Sequence, residues 1–69
     1  MKKRILLIDD DVDLQKLVAE GLRREKFVVV SAQTGEEGLR LAYDQHPDLI
    51  ILDLMLPGIG GLEVCRRIC

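Results

Sequence analysis

Residues 5–11 read ILLIDDD, so four apolar residues run directly into three carboxylates. A short apolar run with β-branched members predicts a strand that is buried on both faces, as in a parallel sheet. Ligands of open α/β sheets bind just beyond the carboxyl ends of such strands. The three acids therefore lie where a functional site is expected.

A second stretch repeats this pattern, because residues 48–53 read DLIILD and end in Asp53. If the two strands are parallel neighbours, Asp9, Asp10 and Asp53 converge at one edge of the sheet. Carboxylates held this close repel one another unless a cation lies among them. The pattern therefore predicts a cation site formed by these three acids.

Strand and helix signals alternate three times along the chain. The strands are predicted at residues 4–9, 27–30 and 48–53. This alternation predicts right-handed crossovers and a parallel α/β sheet with strand order 2-1-3. The wholly apolar strand 1 suits the centre of that sheet, and the shorter strand 2 suits an edge.

The first two predicted helices have start signals. The candidate N-caps of helix 1 are Asp10, Asp11 and Asp13. Thr34 and Glu37 form a capping box for helix 2, which runs to about Gln45. Helix 3 is predicted to begin near Leu62.

Helical spacing predicts that helix 1 buries Leu14, Leu17, Val18, Gly21 and Leu22. Helix 2 is predicted to bury Leu39, Ala42 and Tyr43, and helix 3 to hold Val64, Cys65 and Ile68 on one side.

Length and composition limit the classes of protein to which this chain can belong. At 69 residues the chain is at most one small domain, and its hydrophobic fraction of 48% argues against disorder. The net charge of -2, without a long basic run, does not indicate nucleic-acid binding by this segment. Neither a membrane span nor a signal peptide is predicted, so we expect a cytoplasmic protein with Cys65 and Cys69 reduced.

These motifs occur in a characteristic order: the acidic pair Asp9 and Asp10, then Asp53, then LPGIGG at residues 56–61. In this order and at these spacings the chain resembles a response-regulator receiver domain over its whole length, particularly receivers attached to winged-helix transcription regulators. The resemblance implies a flavodoxin-like fold, whose complete strand order is 2-1-3-4-5. It also implies a phosphorylation-controlled switch and not a turnover enzyme.

The same resemblance implies roles for individual residues. Asp53 would be the phosphoacceptor and would take its phosphoryl group from a histidine kinase. Asp10, Asp53 and the backbone carbonyl of Met55 would bind Mg²⁺ directly, and Asp9 would act mainly through a bound water. Mg²⁺ suits such a site because it prefers oxygen ligands and usually keeps several waters.

The chain differs from the family pattern in its length. We interpret residues 1–69 as a truncated receiver that lacks the last two βα units. The family's Ser or Thr after strand 4, and its Lys and aromatic residue of strand 5, have no counterparts in this sequence. Lys2 and Lys3 precede strand 1, whereas the site follows it, so they do not replace that lysine. We expect weaker stabilisation of the phosphorylated state.

An alternative interpretation makes the chain a truncated or engineered half-domain without phosphorelay activity. Strand 3 would then have an unpaired apolar edge, and such edges pair with other chains. A homo-oligomer is expected, through the strand-3 edge or the open sheet face.

Three other hypotheses compete for the acids. They could simply cap a helix, because acids are favourable at a helix N-terminus. They could also belong to an aspartate-nucleophile phosphohydrolase, but that assignment leaves Asp53 unexplained. They could also form a calcium loop, although Leu14 stands where that loop needs glycine. The calcium ligands would be Asp9, Asp11, Asp13 and Glu20.

Overall fold

The computed structural model describes residues 2–53, 56 and 60–68. The elements in chain order are β1 (Arg4–Ile8), α1 (Val12–Arg24), β2 (Val28–Ala32), α2 (Gly35–Gln45), β3 (Leu49–Leu52) and α3 (Gly60–Ile68). In this part of the chain the strands form one parallel sheet with the order β2-β1-β3. The predicted α/β class and strand order are confirmed.

The sheet separates two apolar clusters. The closed-face cluster lies between the sheet and helices α2 and α3, and its buried members are Leu6, Ile8, Ala32, Leu39, Leu56 and Val64. The α1-face cluster lies under α1, and its buried members are Leu7, Ala19 and Val29. Successive β1 residues alternate between these clusters because side chains on a strand point to opposite faces. Strand β1 is therefore buried on both faces, as the apolar run predicts.

The helix starts agree with the capping signals. Among the candidate aspartates, Asp11 is the N-cap of α1, and its carboxylate accepts a hydrogen bond from the Leu14 amide at 3.1 Å. The Thr34 hydroxyl accepts one from the Glu37 amide at 3.1 Å and caps α2. Helix α2 ends at Gln45, and its C-cap is His46, whose φ of 48° is left-handed. His46 thus has a structural role in stopping the helix before Pro47.

Strand β2 runs further than the sequence pattern predicts. It covers Val28–Ala32, because β1 continues to pair with it until Ile8 lies opposite Ala32. At the opposite end of the sheet, Arg4 and Asp48 join β1 to the start of β3. The Arg4 amide donates to the Asp48 carboxylate at 2.8 Å, and the Asp48 amide donates to the Arg4 carbonyl at 2.8 Å.

The predicted buried stripe of α1 is wrong for three of its five residues. Leu14, Leu17 and Gly21 are exposed, with Leu17 69% exposed. The buried residues of α1 are instead Gln15 and Ala19, with Val18 and Leu22 half-buried beside them. Helix α1 packs on the β1–β2 half of the sheet, so the side of the helix that would face β3 stays uncovered.

Strand β3 is the other border of this uncovered region. Its residues on the α1 side, Leu49 and Ile51, are 55% and 38% exposed, whereas Ile50 and Leu52 pack against the closed-face cluster. We call the exposed apolar residues Leu14, Leu17, Leu49 and Ile51 the open face. Strand β3 is therefore exposed on its α1 side, and the order β2-β1-β3 places it at the border of the described sheet.

Two further burial predictions are wrong. Tyr43 is 67% exposed, and Cys65 is exposed. Each follows a residue that does face the core, namely Ala42 or Val64, and one step along a helix turns a side chain by about 100°. The predictions for Leu39, Val64 and Ile68 are confirmed, since all three belong to or pack against the closed-face cluster. Among the described residues no helix is both long and apolar enough to cross a membrane.

Candidate functional site

The sheet register brings two acidic strand ends together. Ile8 of β1 lies opposite Leu52 of β3, so that Asp9 and Asp53 leave the sheet side by side. The Asp53 amide donates to the Ile8 carbonyl at 3.0 Å, and the Asp9 amide donates to the Ala32 carbonyl at 3.1 Å. The main chain at both acids is thus held by the ladder, while their side chains extend beyond it.

The carboxylates of Asp9, Asp10 and Asp53 form one cluster. Each offers an oxygen atom, and these oxygens all lie within 4.8 Å of one another. Asp9 and Asp53 are half-buried, and Asp10 is exposed. The convergence that the two strand patterns predict is therefore present. Met55 lies outside the described residues.

The neighbouring Asp11 has a structural role. Asp11 caps α1, and its amide donates to the Asp9 carboxylate at 2.9 Å, which orients that carboxylate at the helix start. Helical capping therefore accounts for Asp11 and leaves Asp10 and Asp53 unexplained. The calcium-loop hypothesis is wrong, because α1 is helical from Val12 and Glu20 pairs with Arg24 at 2.6 Å.

Gln15, which the sequence pattern did not single out, is only 5% exposed. Its side-chain Nε2 donates to the carbonyls of Leu7 and Ala32, one on each of two neighbouring strands. The signal that could have found it is positional. Gln15 lies one helical turn before the buried Ala19, so the two residues share a face of α1.

The cluster has the chemistry of a site for a hard divalent cation. Carboxylate oxygens are the ligands that Mg²⁺ and Mn²⁺ prefer, and an exposed member leaves room for the waters that Mg²⁺ retains. A bound cation would also offset the mutual repulsion of the three carboxylates. This arrangement suits a reaction that brings an anionic group to a carboxylate.

The family model for the response regulator receiver domain matches residues 5–69. The chain belongs to the response regulator receiver domain family. Receiver domains act as phosphoacceptors in two-component signalling and bind Mg²⁺ at an acidic site. The resemblance recognised from the sequence motifs is confirmed.

Curated relatives of this receiver chain are transcriptional regulators. It is 52% identical over 64 residues to the transcriptional regulatory protein AfsQ1 of Streptomyces coelicolor, an alignment that covers 93% of this chain and 28% of AfsQ1. It is 43% identical over 68 residues to the alkaline phosphatase synthesis transcriptional regulatory protein PhoP of Bacillus subtilis, covering 99% and 28% respectively. The receiver chain thus spans little more than a quarter of the length of these regulators.

Solved receiver structures have the same fold. A CheY-like receiver domain protein from Methanospirillum hungatei matches with a TM-score of 0.96 and 31% identity, over 99% of this chain and 54% of that one. The response regulator TrrA of Thermotoga maritima, in complex with Mg²⁺-BeF, matches with a TM-score of 0.91 and 43% identity, over 99% and 58%. The receiver chain therefore spans somewhat more than half the length of these structures.

Proposed function

We propose that Asp53 is the phosphoacceptor of a two-component phosphorelay and that a histidine kinase in the cytoplasm is the donor. The observation that carries this proposal is the cluster of Asp9, Asp10 and Asp53, whose carboxylate oxygens lie within 4.8 Å of one another. Family membership gives the reaction class, because receiver domains are phosphoacceptors.

The proposed transfer is a displacement at phosphorus. One Asp53 carboxylate oxygen attacks the phosphoryl group of a phosphohistidine and forms an acyl phosphate. The bond from phosphorus to the imidazole nitrogen breaks, and its electron pair stays on that nitrogen. Asp53 suits the role of nucleophile because it is half-buried at a strand end, where its main chain is fixed by the hydrogen bond to Ile8.

The proposed metal ligands are Asp10, Asp53 and the Met55 carbonyl, with Asp9 acting through a water. Mg²⁺ at this site would neutralise charge as an anionic phosphoryl group approaches a carboxylate. The Mg²⁺-BeF complex of TrrA supports this assignment, since that receiver is 43% identical to this chain. The residues present fit the ion, because the cluster offers oxygen ligands alone.

We further propose that residues 1–69 correspond to the first three βα units of a receiver domain. The chain would act as an acceptor and not as an enzyme that turns over.

The phosphoacceptor assignment is tested by intact-mass measurement after incubation with acetyl phosphate and Mg²⁺. The expected result is addition of one phosphoryl group to the wild-type chain and none to Asp53→Asn. The matched control is Asp13→Asn, an exposed acid in the first turn of α1 that lies outside the cluster. Labelling that persists in Asp53→Asn would contradict the assignment.

The metal assignment is tested separately by calorimetric titration with MgCl₂. We expect binding by the wild-type chain and by Asp13→Asn, and loss of binding in Asp10→Ala, because Asp10 supplies a direct ligand. Equal affinity in Asp10→Ala and the wild type would show that the metal site is misassigned.

A second candidate function is self-association of a half-domain without phosphorelay activity. The observation that favours it is the exposure of Leu49 and Ile51 on an edge strand, at 55% and 38%. A dimer that pairs β3 with a partner strand, or that buries the open face, would remove these apolar groups from water.

Light scattering on Ile51→Lys tests this second candidate. The lysine should dissociate the dimer, because it places a charge on the open face. Ile50→Lys is the wrong probe, since Ile50 packs against the closed-face cluster. Cys69→Ser is the control for a disulfide through the terminal cysteine. A monodisperse wild-type monomer at micromolar concentration would contradict self-association.

A further inference from the structure

Gln15 is a buried polar residue that lies behind the acidic cluster and joins three elements. It belongs to α1 and is 5% exposed, and its Nε2 donates to the Leu7 carbonyl of β1 at 3.3 Å and to the Ala32 carbonyl of β2. One amide nitrogen carries two hydrogens and can serve both acceptors. Gln15 therefore fastens α1 to the carboxyl ends of two strands.

The Ala32 carbonyl links the hydrogen bonds of Gln15 to the acidic cluster. It also accepts the backbone amide of Asp9 at 3.1 Å, and a carbonyl oxygen has two lone pairs for two such donors. Ala32 is fully buried, so both hydrogen bonds are shielded from water. The side chain of Gln15 and the main chain of Asp9 are thus anchored on one atom.

These hydrogen bonds form a closed ring that passes through the start of α1. The Asp9 carboxylate accepts a hydrogen bond from the backbone amide of Asp11 at 2.9 Å. The Asp11 carbonyl accepts one from the backbone amide of Gln15 at 3.0 Å. The ring therefore runs from Ala32 to Asp9, then to Asp11, and back through Gln15. It holds both the backbone and one carboxylate oxygen of Asp9, and linked hydrogen bonds of this kind restrict each other's geometry.

We propose that Gln15 is a positioning residue for the acidic site, one that sets the direction of the Asp9 carboxylate toward the cation. This role rests on the metal site of the proposed function. Residues that hold metal ligands in place typically change metal affinity by about 10- to 100-fold when they are replaced. If Gln15 only satisfied buried carbonyls, its replacement would lower stability and leave the affinity of the folded chain unchanged.

The test compares Gln15→Met with Val29→Ala by calorimetric titration with MgCl₂, at a temperature where circular dichroism shows each variant folded. Methionine has nearly the length of glutamine and no N–H donor. Val29→Ala is the matched control, because Val29 belongs to the same α1-face cluster and its side chain cannot form hydrogen bonds. We expect Mg²⁺ affinity to fall by about tenfold in Gln15→Met, and to stay near the wild-type value in Val29→Ala.

A second measurement does not depend on the folding of a variant. In the wild-type chain, the side-chain amide resonances of Gln15 and the backbone amide of Asp9 should shift during Mg²⁺ titration with one saturation curve. A Gln15 amide that does not respond would overturn the positioning role.

The outcomes separate this role from the proposed function. Wild-type binding with unchanged affinity in Gln15→Met would overturn the role of Gln15 alone, as would an equal loss in Val29→Ala. Absence of Mg²⁺ binding by the wild-type chain would overturn the metal site and the positioning role together.

Discussion

The two faces of the sheet carry similarly apolar side chains but differ in how well they are covered. On the closed face, residues of all three strands join one apolar cluster with α2 and α3, and Leu6 and Ile8 of β1 are at most 1% exposed. On the other face, α1 covers β1 and β2, while Leu49 and Ile51 of β3 stay exposed.

This contrast shows that an apolar strand residue is not buried by its own chemistry. Leu49 and Leu52 belong to the same strand, yet Leu49 is 55% exposed while Leu52 packs against the closed-face cluster. The hydrophobic contribution scales with the area that is removed from water. We therefore expect the closed face to supply most of the stability, and the open face to supply little until something covers it.

The largest expected effect is that of Leu6→Ala on the closed face. Leu6 is 1% exposed, and removal of a buried leucine side chain costs roughly 2–5 kcal/mol of unfolding free energy. A urea titration followed by circular dichroism measures the loss. A cost below about 1 kcal/mol would mean that this face is less tightly packed than the burial indicates.

A smaller effect is expected for Gly38→Ala, which tests how closely α2 approaches the sheet. An added Cβ would lie 2.5 Å from Cδ1 and 2.9 Å from Cγ1 of the fully buried Ile8. Such overpacking costs typically about 1–3 kcal/mol.

The matched control for Gly38→Ala is Gly21→Ala on α1, where the added Cβ meets nothing within 4 Å. At this exposed helical position alanine should stabilise the chain by up to about 1 kcal/mol. The two substitutions are chemically identical, so opposite signs in the urea titration would confirm the contrast between the faces. Equal signs would contradict it.

The smallest effect is expected for Leu17→Ala on the open face. Leu17 is 69% exposed, and alanine is at least as good a helix former as leucine, so the unfolding free energy should change by less than about 0.5 kcal/mol. Because Leu6→Ala is the same chemical change, the pair isolates the effect of burial. A loss of about 2 kcal/mol or more would show that Leu17 is covered in solution, as in a dimer that buries the open face.

The residue pattern alone predicted the convergence of the three acids and the order of the strands. Strand β1 could be recognised because its apolar residues are continuous, and the end of β3 because its apolar run stops at Asp53. Acids at the carboxyl ends of neighbouring parallel strands meet at one edge of the sheet whatever the details of side-chain packing. The convergence of Asp9, Asp10 and Asp53 could therefore be predicted from the sequence. The cap at Thr34 was equally local, since it depends on residues three positions apart.

Long-range packing sets which side of each helix is buried and which polar group supports the site. The spacing of Leu14, Leu17 and Gly21 predicts a buried stripe, but α1 lies over β1 and β2 and turns that stripe outward. The role of Gln15 likewise depends on two carbonyls that come from separate strands, 8 and 17 positions away in the chain. Helical periodicity determines which residues share a face, whereas the element that covers that face is set by long-range packing.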